Sequence, residues 1–221
     1  MDTFAVDDLC TKMRPQFLSK GTLLLSPIDI SELARLSEAR NLSTESSQTD
    51  ISTQILTRLT NLAGTKSVSN IAAVLWSSTI TAKNDSLKMT DKKSTAHFLY
   101  SSLSLETGQL TLYDTLGYVD MTEHPFFSAK AVKNFFTAVY VSMTGKRKIR
   151  VKYLDTAYVQ TGNSCGYLAC FHAILAYRQG PDFITEYKFK NFIQSLYKIK
   201  KFLLKILQSD TIDFETVQII A

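Results

Sequence analysis

Cys165 is the residue of this sequence best placed to act as a nucleophile. It stands in 159-VQTGNSCGYLACFHAIL-175, after the cap-type residues Asn163 and Ser164 and before an apolar segment with helical periodicity. A thiol at a helix N-terminus ionises readily, because unpaired amides and the helix dipole favour negative charge there. Gly166, the next residue, leaves room for a substrate backbone. The alternative is a structural cysteine buried among apolar neighbours.

A catalytic thiolate also needs a histidine as base and acid, and a group that orients this histidine. His172 lies about two helical turns beyond the nucleophile, too far to bond the thiol, and His124 precedes a proline in a predicted loop. His97 opens a predicted strand, and Asp114 lies on the strand predicted to pair with it. With the hairpin turn at 106–108, His97 and Asp114 are expected to face each other, so that the carboxylate reaches a ring nitrogen.

Gln160 is a candidate for stabilising negative charge on the substrate. Its side-chain amide, together with the backbone N–H of Cys165, can bind the oxyanion of a tetrahedral intermediate. The alternative is a strand-end glutamine that faces water. His, Cys and Asp residues show no spacing typical of metal ligands, so we predict neither a metal nor a cofactor.

The elements that must position these residues are a mixture of helices and strands. Helices are predicted at 24–40, 50–63, 126–143, 165–178 and 185–207, and strands at 71–80, 96–105, 109–116 and 148–160. Because helices and strands do not alternate strictly, the α+β class is favoured over a doubly wound fold. We predict an N-terminal helical arm at 1–64 and a catalytic domain at 65–221.

The composition fits a globular chain in a reducing compartment. The 221 residues are 45% hydrophobic and 11% aromatic, which is enough for a packed core. Three cysteines without framework spacing argue against disulfides. The acidic N-terminus predicts no secretory signal, and no apolar run is long enough to span a membrane.

Positive charge is concentrated in the last third of the chain. Residues 146–221 contain 12 Lys/Arg and 6 Asp/Glu, whereas residues 1–145 contain 13 and 14. A basic surface can meet nucleic acid, anionic lipid or an acidic protein, or it can simply be solvated. For the basic amphipathic helix at 185–207 we favour packing of its apolar side chains against the sheet. The alternative is contact with a membrane surface through four of these side chains: Phe189, Phe192, Leu196 and Leu203.

Three segments together resemble the ubiquitin-like-protein protease family of cysteine peptidases: His97-Phe98, 113-YDTLG-117 and 160-QTGNSCGYLAC-170. That family includes the SUMO and NEDD8 proteases, the adenovirus-type proteases and deubiquitinases delivered by intracellular bacteria. Its pattern is His-Trp, an Asp within Tyr-Asp-Ser, then Gln, and a Cys-Gly that opens a helix. The order and the spacing match over residues 70–180.

The sequence also departs from the family pattern. Ser164 stands where Asp is common, Phe98 replaces Trp, and Gln160 is one residue nearer the cysteine than is usual in SUMO proteases. The Trp-Leu-Asn-Asp stretch of eukaryotic SUMO proteases is missing. These departures leave the chemistry intact and fit a bacterial-effector or viral relative.

The resemblance implies a papain-like or adenain-like fold, in which helices flank a central mixed sheet and the nucleophile begins a helix. It implies that Cys165 is the nucleophile, His97 the base, Asp114 its orienter and Gln160 an oxyanion-hole donor. Three further residues are implied to line a substrate slot: Trp76, Phe98 and Gly166. For Trp76 the alternative is an ordinary core side chain.

The reaction implied is hydrolysis of a peptide or isopeptide bond after the C-terminal Gly-Gly of ubiquitin or a ubiquitin-like protein. The alternatives are acetyl transfer at the same site and cleavage of a viral-type polyprotein. An inactive ubiquitin-binding module is disfavoured because all four implied catalytic residues are intact. The implied partner is ubiquitin or a ubiquitin-like protein rather than nucleic acid, bound in part by the N-terminal arm. The expected location is the cytoplasm or nucleus, or the host cell for a bacterial effector.

Overall fold

The computed structural model describes residues 3–77, 80, 97–116, 124, 126–156, 164–189, 191–209 and 214. The predicted loop at 83–94 and the end of the predicted strand at 148–160 lie outside the described residues. Within those residues the elements follow in this order: α1 (Thr3–Ser19), β1 (Thr22–Leu25), α2 (Pro27–Asn41), α3 (Glu45–Ala63), β2 (Asn70–Trp76), β3 (Phe98–Ser104), β4 (Gln109–Asp114), α4 (Ala129–Thr144), β5 (Arg150–Asp155), α5 (Cys165–Gln179), α6 (Phe183–Glu186) and α7 (Phe192–Gln208).

The five strands form one mixed sheet in the order β1-β2-β3-β4-β5. The pair β1–β2 and the pair β4–β5 are parallel, whereas β2–β3 and β3–β4 are antiparallel. Helices cover both faces, and two hydrophobic cores fill the space between helices and sheet. This confirms the predicted α+β class with a central mixed sheet flanked by helices.

Alternate residues of β2 supply the two cores. Ala72 and Val74 pack on the face covered by α1, α5 and α7, while Ile71, Ala73 and Leu75 pack on the face covered by α2, α3 and α4. Because successive strand side chains point to opposite faces, a continuous apolar run is what a strand buried on both faces requires. The prediction of such a strand from residue 71 onward is confirmed.

The N-terminal region differs from the prediction. The first three residues of the predicted helix at 24–40 are not helical. Leu24 and Leu25 belong to β1 and pair with β2, and Ser26 is the N-cap of α2. The helix starts after Ser26, whose hydroxyl and backbone N–H form a reciprocal capping box with Asp29. Helix α1 was not predicted. Residues 1–64 thus supply a strand of the sheet and a helix of the core, and their role in substrate binding stays a prediction.

The hairpin β3–β4 brings His97 and Asp114 to one end of the sheet. Its turn uses Gly108 at φ +68°, a conformation that favours glycine. Tyr100 pairs with Tyr113, which places Asp114 opposite Leu99. His97 thus lies two residues from the position directly opposite Asp114, in keeping with the expectation that the two lie roughly opposite each other. The two are diagonal neighbours, and a shift of two keeps both side chains on the same face.

The C-terminal region contains a short helix α6 and the longer α7 in place of one predicted helix. Leu203 is buried, and Phe189, Phe192 and Leu196 pack against the core between the sheet and α5. Packing of these side chains on the protein body is confirmed, and they cannot face a membrane. None of the described helices combines the length and apolar character that a bilayer crossing requires.

Candidate active site

Helix α5 begins at Cys165, so the thiol lies where four backbone N–H groups lack helical partners. Ser164 occupies the N-cap position, but its hydroxyl makes no capping bond; the predicted side-chain cap is therefore absent at this residue. Asn163 lies outside the described residues. The side chain of Cys165 is 8% exposed, since the first turn of α5 packs on the sheet end. The thiol is thus shielded but still open to a reactant from one side.

His97 is fixed at the point where β3 starts. Its backbone N–H donates to the Ser77 hydroxyl at 3.1 Å, and its carbonyl accepts from the Ser77 N–H at 3.0 Å. The imidazole also lies against the Phe126 ring, with 5.6 Å between ring centroids. These contacts hold an imidazole that is 1% exposed in one orientation.

The imidazole of His97 connects the thiol of Cys165 to the carboxylate of Asp114. His97 Nε2 lies 2.6 Å from Asp114 Oδ1, and the ring is also hydrogen-bonded to Cys165. With Nε2 taken by the carboxylate, Nδ1 is the nitrogen left for the thiol. The structure therefore brings together three of the four predicted catalytic residues in the order that a thiol–imidazole–carboxylate site requires.

The pKa shifts of the pair favour a thiolate and an imidazolium. Burial raises the pKa of the Cys165 thiol, but the hydrogen bond and charge of His97, with the backbone N–H groups of Phe98 and Gly166, outweigh burial and lower it. Burial alone would lower the pKa of His97, yet its bonds to Asp114 and Cys165 raise it to about 9. The imidazolium of His97 stabilises the thiolate of Cys165, and the thiolate in turn stabilises the imidazolium.

Asp114 is wholly buried and accepts an unusual number of hydrogen bonds. Besides His97, Oδ1 accepts from the backbone N–H of Thr115 at 2.6 Å and of Leu116 at 3.3 Å. Oδ2 accepts from the Tyr153 hydroxyl at 2.8 Å. Burial would raise the pKa of Asp114, but the bonds from His124 and His97 hold it well below its usual range. The carboxylate is therefore charged and fixed in position.

His124 completes this network, although the sequence reasoning set it aside. Its Nε2 lies 2.6 Å from Asp114 Oδ2. Its Nδ1 accepts from the backbone N–H groups of Phe126 and Phe127, both at 3.1 Å. Because Nδ1 accepts, Nε2 carries the proton and donates it to Asp114. The position of His124 in a predicted loop gave no indication of this role. The one signal in the sequence is the pair Phe126-Phe127 soon after it, because aromatic side chains of this kind are usually buried.

His97, Asp114 and His124 are close enough to be considered as metal ligands, since their ligand atoms lie within 4.8 Å of one another. The hydrogen bonds indicate that protons, rather than a metal ion, join these three side chains. A histidine that binds a metal through Nε2 carries its proton on Nδ1 and donates it outward. Here two backbone N–H groups point at Nδ1 of His124, so a proton there would meet two donors. The cluster fits a hydrogen-bonded network better than an ion.

Of the three residues predicted to line the substrate slot, Phe98 and Gly166 each have a backbone N–H at the Cys165 thiol, and Trp76 contacts Phe98. Trp76 and Phe98 are register partners across β2 and β3, and their rings stack with centroids 6.3 Å apart and 16° between planes. Gly166 is buried directly after the nucleophile. Gln160, the predicted oxyanion-hole donor, lies outside the described residues.

The remaining histidine and cysteines lie inside the core. Burial lowers the pKa of His172 to about 3, against the opposing charge of Asp114. Cys10 and Cys170 are wholly buried thiols that contact each other, and their hydrogen bond, followed by burial, raises the pKa of Cys10. Neither thiol has the environment of a nucleophile. Of the three cysteines, only Cys165 keeps any exposed surface.

Solved structures with a similar fold include a SUMO protease and two Chlamydia trachomatis proteins. The C-terminal protease domain of Ulp1, in complex with Smt3, the yeast ortholog of SUMO, aligns with a TM-score of 0.52 at 9% identity, over 94% of this chain and 76% of that one. ChlaDub1 from Chlamydia trachomatis aligns with a TM-score of 0.53 at 12% identity, over 97% and 94%. The Chlamydia trachomatis effector Cdu1, bound to ubiquitin, gives 0.52 at 13% identity, over 97% and 96%.

The chain has the fold of these proteases. The predicted protease fold is thereby confirmed, even though identities of 9–14% are too low to transfer a substrate. No protein-family model matches the sequence, and no curated protein matches it either.

Proposed function

We propose that the protein is a cysteine peptidase that hydrolyses peptide or isopeptide bonds after the C-terminal Gly-Gly of ubiquitin or a ubiquitin-like protein. The observation that carries the proposal is the buried chain of hydrogen bonds from Cys165 through His97 to Asp114. The fold supports it, because Ulp1 and Cdu1 were solved with Smt3 and with ubiquitin respectively. The roles of nucleophile, base and orienter fall on Cys165, His97 and Asp114.

The reaction runs in two steps. The Cys165 thiolate attacks the scissile carbonyl carbon, and the C–N bond breaks as His97 gives its Nδ1 proton to the leaving amine. The product is a thioester and a free amine. His97 then takes a proton from water, whose oxygen attacks the thioester carbonyl. The C–S bond breaks, the carboxylic acid leaves, and the thiolate–imidazolium pair is restored.

Two features of the site support a glycine-ended substrate. The rings of Trp76 and Phe98 stack on each other where β2 ends and β3 starts, and we place them as the wall of the substrate slot. An extended chain that passes such a wall beside Gly166 meets the least steric hindrance where its own residues lack side chains. Gln160 and the backbone N–H of Cys165 are the proposed oxyanion donors.

A reducing, intracellular compartment suits this chemistry. The nucleophile must stay a thiolate, and a low-pKa thiol oxidises readily. Delivery into a host cell is one way to reach that compartment, in keeping with the likeness to Chlamydia trachomatis effectors.

The test is covalent labelling by ubiquitin, SUMO and NEDD8, each carrying a cysteine-reactive electrophile at its C-terminus. The expected result is an adduct of one protein plus one probe in the intact mass. Cys165→Ala should abolish the adduct. Cys170→Ala is the matched control, because the same substitution five residues along α5 leaves the proposed nucleophile in place.

An adduct that survives in Cys165→Ala would contradict the assignment of the nucleophile. No adduct with any of the three probes would contradict a substrate of this class. In that case acetylation of Cys165 by acetyl-coenzyme A would identify acetyl transfer as the reaction of the same site.

A further inference from the structure

Helix α7 has an exposed apolar stripe in addition to its buried face. Ile193 is 77% exposed, Tyr197 68% and Leu204 51%. At 100° per residue these three side chains lie within about 40° of one another around the helix axis. We call them the α7 stripe. Large apolar side chains that are this exposed and aligned mark a contact surface more often than isolated ones do.

Lysines flank the α7 stripe on both sides. Lys198, Lys201 and Lys205 lie on one side, and all three are exposed. On the other side Lys200 is also exposed, but its Nζ lies 4.8 Å from the centre of the Tyr167 ring of α5. The helix contains no Asp or Glu. Within the described part of the chain, none of these lysines pairs with a carboxylate.

The orientation of this face is fixed by the opposite side of the helix. Ile199, Leu203 and Ile206 are buried in the core that α7 shares with α1 and α5. Lys12 of α1 donates to the carbonyl oxygens of Leu207 and Ser209 at the C-terminal end of α7. The α7 stripe therefore points away from the protein body and is not free to turn inward.

We propose that this face docks the protein on an anionic lipid surface. An apolar stripe beside a row of lysines is the pattern of helices that lie in the plane of a membrane interface. Apolar side chains enter the acyl boundary while lysines meet anionic headgroups. A bilayer suits this face because its apolar interior matches the α7 stripe and its anionic headgroups match Lys198, Lys201 and Lys205.

The proposal leaves the candidate active site accessible. Helix α7 packs against α1 and α5, whereas Cys165 and His97 lie at the end of the sheet where β2 and β4 finish and β3 starts. A protein held by α7 would therefore present this end beside the membrane rather than against it. Docking would concentrate the activity on substrates close to that membrane.

The test is flotation of the full-length protein with vesicles of neutral phosphatidylcholine alone or mixed with phosphatidylserine. Binding is expected only to the mixed vesicles and should weaken as salt rises. Each lysine near an anionic surface strengthens binding roughly fivefold, so Lys201→Gln with Lys205→Gln should weaken binding about 25-fold. Ile193→Ser with Leu204→Ser should also weaken it, without loss of the buried contacts.

Matched controls keep the result specific to α7. Lys130→Gln with Lys133→Gln removes the same charge from exposed positions of α4, and Leu42→Ser removes an apolar side chain that is 90% exposed elsewhere. Both controls should bind as the wild type does. Labelling by the modifier probes in the absence of vesicles should be unchanged in every variant.

Three results would overturn the proposal. These are absence of binding to the mixed vesicles, equal binding to neutral vesicles, and equal weakening by the α4 control. A fourth would replace it: if the α7 variants weaken probe labelling without any lipid, the face binds a protein substrate. Because labelling is measured separately, failure of lipid binding leaves the proposed peptidase reaction standing.

Discussion

Replacing His124 tests whether the network around Asp114 serves the chemistry of Cys165. His124→Asn keeps a side-chain acceptor near the backbone N–H groups that Nδ1 now accepts from, but its side chain is too short to donate to Asp114. His124→Gln is longer and can donate to Asp114 again. The two variants therefore separate a role in folding the loop from a role in positioning Asp114.

The size of the effect follows from the hydrogen bonds of the carboxylate. Among the described residues Asp114 accepts from His97, His124, Tyr153 and the N–H groups of Thr115 and Leu116. Loss of one bond to a charged group costs about 1.5–3 kcal/mol. If that cost appears in the transition state through a displaced carboxylate, kcat falls about 10- to 100-fold.

The assay is cleavage of a C-terminal fluorogenic ubiquitin or ubiquitin-like substrate, with alkylation of the free enzyme as a second measurement. We expect His124→Asn to lower kcat with little change in KM, because His124 is buried and does not line the proposed slot. The pH at which iodoacetamide alkylates Cys165 should rise, since a loosened His97 stabilises the thiolate less. Tyr153→Phe, which removes the other donor to Asp114 Oδ2, should have a smaller effect.

Rescue decides between the two roles of His124. Partial recovery of kcat in His124→Gln is expected if donation to Asp114 is what matters. If His124→Asn keeps kcat within about twofold of the wild type while its melting temperature is unchanged, Asp114 is held without His124 and the reasoning is refuted.

Three further predictions concern pH and backbone conformation. The kcat/KM of the wild type should rise as Cys165 ionises and fall as pH passes about 9, where His97 loses the proton it must give to the leaving amine; a flat profile up to pH 10 would contradict this. Burial lowers the pKa of His172 to about 3 in the folded protein. In the unfolded chain the same imidazole takes up a proton below about pH 6.5, so the unfolded state binds more protons as the pH falls. Between pH 7 and pH 5 the wild type should therefore lose about 2 kcal/mol of unfolding free energy in urea that His172→Gln does not lose. Gly108→Ala should destabilise the protein by more than the roughly 1 kcal/mol expected for Gly145→Ala. Both glycines have a positive φ, but of these two positions only 108 would bring a Cβ within 2.9 Å of a carbonyl oxygen. Equal losses of unfolding free energy in urea titrations would contradict this clash.

The sequence predicts the elements around Cys165, His97 and Asp114 because each signal there is local. Cys165 opens an apolar-periodic segment, and the hairpin that carries His97 and Asp114 has a single glycine turn. The two residues are offset by two positions from exact opposition, yet the contact forms. An offset of two preserves the face on which a strand side chain lies, whereas an offset of one would have reversed it.

The part that could not be predicted depends on tertiary packing. His124 reaches Asp114 from the segment between β4 and α4, and no spacing rule relates a loop residue to a strand end. Strand β1 was missed for a similar reason. Its few apolar residues also suit a helix, and only the pairing with β2 decides between the two.

The site lies where the two cores of the protein meet at one end of the sheet. In β4, Tyr113 packs on the α5 side and Leu112 on the α4 side, so Asp114 points to the α4 side. Cys165 belongs to the opposite core, because α5 covers the other face. The thiol and the imidazole therefore meet at the end of the sheet, beside the first residue of β3, Phe98. That geometry explains why the Phe98 N–H reaches the thiolate, and it ties the Cys165–His97 contact to the packing of both layers.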